Sequence, residues 1–370
     1  MKKYLLPIGT LLISAIVVLG GYASGSEKNT ATSSNYSDSE TNTIAEGRML
    51  LVLAAPSESE FELDEAKIYN NIVDFQVNYA LQVIEAGHDN IIVLVDDATK
   101  SKYGQLPDDV LLSVADGGLH IWSRDYTTVN PYDPVEFTYT WSTMSKDESK
   151  AVQTRFNEFL AEHNIIRKTS DYRLDGGNIV DNYEGGIITT TRFVTDNTMD
   201  VSTAKDYLKN LLGATKVAIL EPDEEVMAHS DGMVMWLDGK NLLINDYESV
   251  EDFGADYQQY IMKEVTSSFP NANIIKVPVQ FSDDPNNESS ACGINLNSVM
   301  TKNALYVPVF GGVYTNNEKK VLSAIESNTT KPIVEVEANG VCDLGGSVRC
   351  LTWQLTGDNA EKLIMAARED

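Results

Sequence analysis

The chain is short of the residue types that most often reveal chemistry. It holds 3 cysteines and 4 histidines in 370 residues, and its 28 Lys and Arg are outnumbered by 55 Asp and Glu. There is no Cys-x-x-Cys and no second histidine near the first, so spacing gives no structural zinc site. No glycine-rich loop ends in Lys-Ser or Lys-Thr, and no three-glycine dinucleotide fingerprint is present. A formal net charge of −27 argues against a nucleic-acid partner, because phosphate is repelled by such a surface. Cations would be attracted, although the solubility of an exported protein accounts for the charge at least as well.

Export is the expectation from the N-terminus. Lys2 and Lys3 precede the apolar run from Leu11 to Leu19, which is short for a membrane span but suits the core of a signal peptide. Gly21-Tyr22-Ala23 supplies small residues, so residues 1–23 read as a signal peptide cut after Ala23, leaving no stable span; an uncleaved anchor is the alternative. No cysteine follows to carry a lipid. Residues 24–45, rich in Ser, Thr and Asn, cannot offset their chain entropy and read as a disordered linker. Residues 46–370 have globular composition.

An odd cysteine count in an exported chain leaves either no pairs or one pair and a free thiol. Cys292 with Cys342 is one pairing that would leave Cys350 alone.

The body of the chain alternates strands and helices, and its order repeats. Met49–Ala55, a helix over Asp64–Ala86 stopped by Gly87, and the strand Ile91–Val95 come first. A hairpin of Asn178–Val180 with Gly186–Thr191 follows, then a helix capped by Ser202 and running to Leu212, then the strand Val217–Leu220. The same order returns through Met233–Leu237, Leu242–Ile244, helix Asp256–Phe269 and Ile274–Val279. It returns again through Ile294–Met300, Ala304–Phe310, helix Asn317–Ser327 and Ile333–Val336. The last strands of these copies begin at Val217, Ile275 and Ile333, 58 residues apart each time. A less regular copy fits Ile121–Trp141, helix Ser149–His163 and strand Ile165–Arg167, and Leu351–Leu355 could pair with Met49–Ala55 to close a ring. Five strand–strand–helix–strand units around an axis are expected.

Chemically capable residues fall where each hairpin begins. They are Trp122-Ser123-Arg124-Asp125, Asp175-Gly176-Gly177-Asn178, His229-Ser230-Asp231-Gly232, Asn295-Leu296-Asn297 and Gly345-Gly346-Ser347-Val348-Arg349-Cys350. Singly, an Asp there is a turn former, a lone His is more often structural, Cys is commonly an inert core residue, and Trp122 could simply fill core. Together they would gather carboxylates, an imidazole, an amide and a thiol at one end of the ring.

Trp-x-Arg-Asp, Asp-Gly-Gly-Asn, His-x-Asp-Gly, Asn297 before Val307-Pro308, and Gly-Gly-x-x-x-Cys-x-Thr resemble, in this order, the bacterial peptidyl-arginine deiminase and agmatine deiminase family of guanidino-modifying enzymes. The resemblance spans residues 122–355 and implies a pseudo-five-fold α/β propeller. It implies Cys350 as nucleophile, His229 as general acid and base, Asp125 and Asp231 as holders of a guanidinium, and Trp122, Asp175 and Asn297 as pocket residues. It implies no cofactor and no metal, and a cationic, arginine-like substrate. Three departures stand out. Arg349 takes the place of a His before the cysteine, Thr127-Thr128 that of Gly-Pro, and Trp353 that of a Gln.

Export favours peptidyl-arginine over agmatine, whose catabolism is usually cytoplasmic. A non-catalytic guanidino binder, an amidinotransferase and, more remotely, a cysteine protease are the other classes open to such residues.

Overall fold

The computed structural model describes residues 47–57, 65–140, 144–251, 253–284, 287 and 289–370. The expected signal peptide and linker, and Trp141 at the end of the irregular copy, lie outside these residues. Among the described residues, no helix is long and apolar enough to cross a membrane.

Five small sheets carry the fold, a pseudo-five-fold α/β propeller. In three of them a hairpin is followed by helix and then by a strand parallel to the second arm. Val180–Asp181 pairs antiparallel with Gly186–Thr190, which pairs parallel with Lys216–Leu220 across helices Thr191–Asp196 and Val201–Leu212. Val234–Trp236, Asn241–Asp246, helix Gly254–Ser268 and Asn273–Pro278 repeat this order. Val299–Met300, Leu305–Val309, helix Thr315–Asn328 and Ile333–Glu337 repeat it again. A parallel crossover needs a long connection, and the amphipathic helix supplies both the connection and the cover for the sheet.

The fifth unit is split across the chain ends, as expected. Trp353–Leu355 runs antiparallel to Leu50–Ala54, with Leu50 opposite Leu355. Leu50–Ala54 then pairs parallel with Asn90–Val95 across the helix Ala66–Ala86. Leu50–Ala54 and Ile91–Val95 are buried throughout, which is why they read as continuous apolar runs rather than alternating ones.

Some boundaries differ from the sequence reading. The helix after the first hairpin is capped by Asp200, whose carboxylate accepts from the Thr203 N–H, so Ser202 lies inside the helix. In the irregular unit the returning strand is Lys168–Arg173 rather than Ile165–Arg167. Its partner is Val135–Thr138, and the first hairpin arm has shrunk to a single bridge between Val129 and Val135. Residues 294–298 form turns rather than a strand, because the Asn295 and Asn297 side chains are spent on other segments.

Candidate active site

The segments that carry the candidate residues are short helical turns packed against one another. Ser123–Tyr126 forms one turn, Gly176–Asn178 and Ser230–Gly232 form two more, and Cys350 lies on the closing segment. Backbone bonds lock them together. The Arg124 N–H donates to the Cys350 carbonyl at 3.0 Å, and the Gly177 N–H donates to Asp125 Oδ1 at 3.1 Å. All seven residues expected at the site are buried.

Two glycines make the approach possible. A Cβ on Gly177 would lie 2.6 Å from His229 Nδ1 and 2.8 Å from Asp125 Oδ1. One on Gly346 would lie 2.4 Å from Trp122 Cζ3 and 2.9 Å from Cys350 Cβ. Any side chain at either place would displace a candidate catalytic group.

Asn297 organises the thiol. Its Nδ2 donates to Cys350 Sγ at 3.1 Å, while its Oδ1 accepts from Ser347 Oγ and the Arg349 and Cys350 N–H groups at 3.0, 3.1 and 3.3 Å. The disulfide Cys292–Cys342 joins the segment before Asn297 to the segment before Cys350, and Cys350 is left as the free cysteine. The pairing is therefore the one that leaves the candidate nucleophile unpaired.

His229 stands between two carboxylates. Its Nε2 is 3.4 Å from Asp175 Oδ2, a hydrogen-bonding distance, and its Nδ1 is 3.8 Å from Asp125 Oδ1, an electrostatic contact only. Burial works against the imidazolium, but Asp125 and Asp175 outweigh it and lift His229 to about 9. Asp125 is lifted to about 6, by burial first and by Asp175 and Asp231 in addition, with His229 opposing. Burial pushes the Cys350 thiol well above its ordinary range, and the charges of Asp231 and Asp125 push it further. The surroundings thus favour the protonated form of both Cys350 and His229.

Asp175 is not turned toward open space. Besides His229 it accepts from the Thr140 N–H at 3.2 Å and pairs with Arg192 at 3.1 Å. Its place is that of an orienter of the imidazole. Arg192 carries no sequence signal, because it sits on the six-residue helix Thr191–Asp196, which the pattern does not announce. It also pairs with Asp196 at 3.2 Å and donates to the carbonyls of Met227 and Thr140.

The departures from the family pattern resolve into two groups. Trp353 Nε1 donates to Thr128 Oγ1 at 2.9 Å, so two of the unusual residues satisfy each other away from the chemistry. Arg349 instead turns inward, onto Asp231 at 2.8 Å.

A cavity of about 520 Å³ lies on the Arg192 and Asp196 side of the His229–Asp175 pair, and none of the seven expected site residues lines it. Lys146, Arg173 and Arg192 line that cavity, opposed by Asp196 and Glu225.

No curated protein sequence matches the chain. Solved structures do. A provisionally assigned peptidyl-arginine deiminase is 20% identical with a TM-score of 0.67, over 84% of this chain and 96% of that one. The agmatine deiminase of C. jejuni is 16% identical with a TM-score of 0.66, over 84% and 94%. That of Enterococcus faecalis is 16% identical with a TM-score of 0.65, over 84% and 93%. At these identities the likeness establishes the fold. The sequence profile of the Porphyromonas-type peptidyl-arginine deiminases matches residues 46–355, and the chain belongs to that family of deiminases, hydrolases that act on guanidino C–N bonds.

Proposed function

We propose that this chain is an exported, cysteine-dependent deiminase that converts arginine side chains of peptides to ureido groups with release of ammonia. The observation that carries the reading is the cluster of Cys350, Asn297, His229, Asp125 and Asp231, drawn from separate units to one buried point. A guanidinium is flat and permanently charged and its carbon is a poor electrophile, so carboxylates are needed to hold it with one face of that carbon toward the nucleophile. Asp125 and Asp231 supply that hold. An incoming cation offsets the charges of Asp231 and Asp125 that add to the burial of the thiol, and so favours the thiolate when substrate arrives.

The steps balance with side chains and water. The Cys350 thiol gives its proton to solvent as the guanidinium binds, its thiolate adds to the guanidinium carbon, and His229 gives its proton to the departing nitrogen, which leaves as ammonia. Water attacks the resulting thiouronium; one of its protons returns to His229, the other passes to the departing Cys350 sulfur, and the C–S bond breaks as the ureido product forms. A His229 held protonated near neutrality suits the first, acid step.

Export favours peptide over agmatine, whose breakdown is usually cytoplasmic. Agmatine remains the second reading, because the C. jejuni and Enterococcus faecalis structures bear that name. Ammonia release should be measured on peptides with internal and C-terminal arginine, on free arginine and on agmatine. Turnover of agmatine alone would sink the peptide assignment. A Cys350→Ala variant that kept parental turnover would sink the mechanism. Export is tested separately, by the N-terminal sequence of protein recovered from culture medium.

A further inference from the structure

The carboxylate given to the substrate is already touched by a guanidinium of the protein. Arg349 Nη1 donates to Asp231 Oδ2 at 2.8 Å, and its Nη2 donates to the Ile179 carbonyl just after the Asp-Gly-Gly-Asn turn. The side chains of this pair are 11% and 3% exposed, so both charges are largely removed from water. The Arg349 N–H is held by Asn297, and the next residue is Cys350. One residue therefore links the nucleophile's segment, the Gly176–Asn178 turn and Asp231. Among the described residues no donor reaches Asp231 Oδ1.

We propose that Arg349 is a positioning residue that fixes one oxygen of Asp231, leaving the other to receive the substrate guanidinium beside Cys350. The inference rests on the deiminase reading above. A short carboxylate rotates easily, and a lone buried one neutralises rather than staying charged. A cation bonded to one oxygen prevents both, at the expense of a two-oxygen grip on the substrate. Orientation of the guanidinium then falls to Asp125 together with a single contact from Asp231. Arg349 is not an internal competitor in this arrangement, because its Nη2 bond to the Ile179 carbonyl anchors the guanidinium away from the free oxygen.

The test compares Arg349→Gln and Arg349→Lys with the parent chain on a peptide with an internal arginine and on agmatine, separating KM from kcat. Losing one partner of a buried charge pair is expected to raise KM by at least about 30-fold in the Gln variant, with kcat changed by less than about threefold. Lysine is a point donor that cannot bond Asp231 and the Ile179 carbonyl in one fixed plane, so KM should rise about 3- to 10-fold. An unchanged KM in either variant, a loss confined to kcat, or a KM below the parent's would overturn the proposal. The last outcome would mark Arg349 as a competitor for Asp231. If the Gln variant does not fold, the Lys variant decides by the same criterion. A parent chain without turnover on any guanidino compound overturns the deiminase reading itself, and the inference falls with it.

Discussion

His229 and Cys350 are both held protonated by one electrostatic arrangement. Carboxylates beside a buried imidazole favour its proton, and the same carboxylates beside a buried thiol forbid its loss. Both effects make the folded protein bind protons more tightly than the unfolded chain, so stability should fall as pH rises. For His229, whose ordinary value is 6.5 and which is lifted to about 9, the contribution is complete below about 6.5 and disappears as pH climbs through about 9. Cys350 adds a slope of the same sign above its ordinary 9.0, and Asp125 adds one between 3.8 and about 6. Asp223, lifted by burial to about 7, adds a further slope of that sign, so the window from about 7 to 9 belongs to the imidazole. Denaturant midpoints measured across it should decline for the parent and be flatter for His229→Gln; equal slopes would show that the carboxylates do not hold the proton there.

At the scale of elements, the short turns before each hairpin do the placing, and close contact between them depends on missing side chains. Gly346→Ala should displace either the Trp122 ring or Cys350, because its Cβ has 2.4 and 2.9 Å to them. A shift of about 1 Å in reacting groups can lower turnover about 100-fold. The thermal midpoint should fall far less in proportion, since the strands that hold the turns are untouched; parental kcat in this variant would mean that the closing segment has slack. These turns also explain what the sequence discloses. Each candidate residue was visible because it stands just before a hairpin, and hairpins show in alternating patterns and turn residues. The roles of Asp175 and Arg349 were not visible. Asp175 reads as a pocket residue until Arg192 and His229 are seen on it, and Arg192 lies on a helix too short to have a period. The cap of the helix Val201–Leu212 was misplaced for a simpler reason: Asp200 and Ser202 are both good caps two residues apart, and propensity alone does not separate them.

For the whole molecule, repetition was the most legible feature, because equal spacing of strands survives errors in every boundary. Among the described residues three sheets hold full hairpins, a fourth keeps only the Val129–Val135 bridge, and in the fifth the pairing of Trp353–Leu355 with Leu50–Ala54 brings the segment of Cys350 in from the far end of the chain. Charge is the other global property, and its purpose separates by ionic strength. A field set by −27 charges should concentrate a cationic peptide near the surface, and salt should screen it, since the Debye length falls from about 10 Å at 0.1 M to about 3 Å at 1 M. KM for an arginine peptide of positive net charge should therefore rise about 3- to 10-fold from low to high salt at nearly constant kcat. The grip of Asp125 and Asp231 is buried and screened little, so a peptide made net neutral by added glutamates, with the same arginine, should show a KM almost independent of salt. If both peptides respond alike, the acidic surface serves solubility alone and capture of the guanidinium is local.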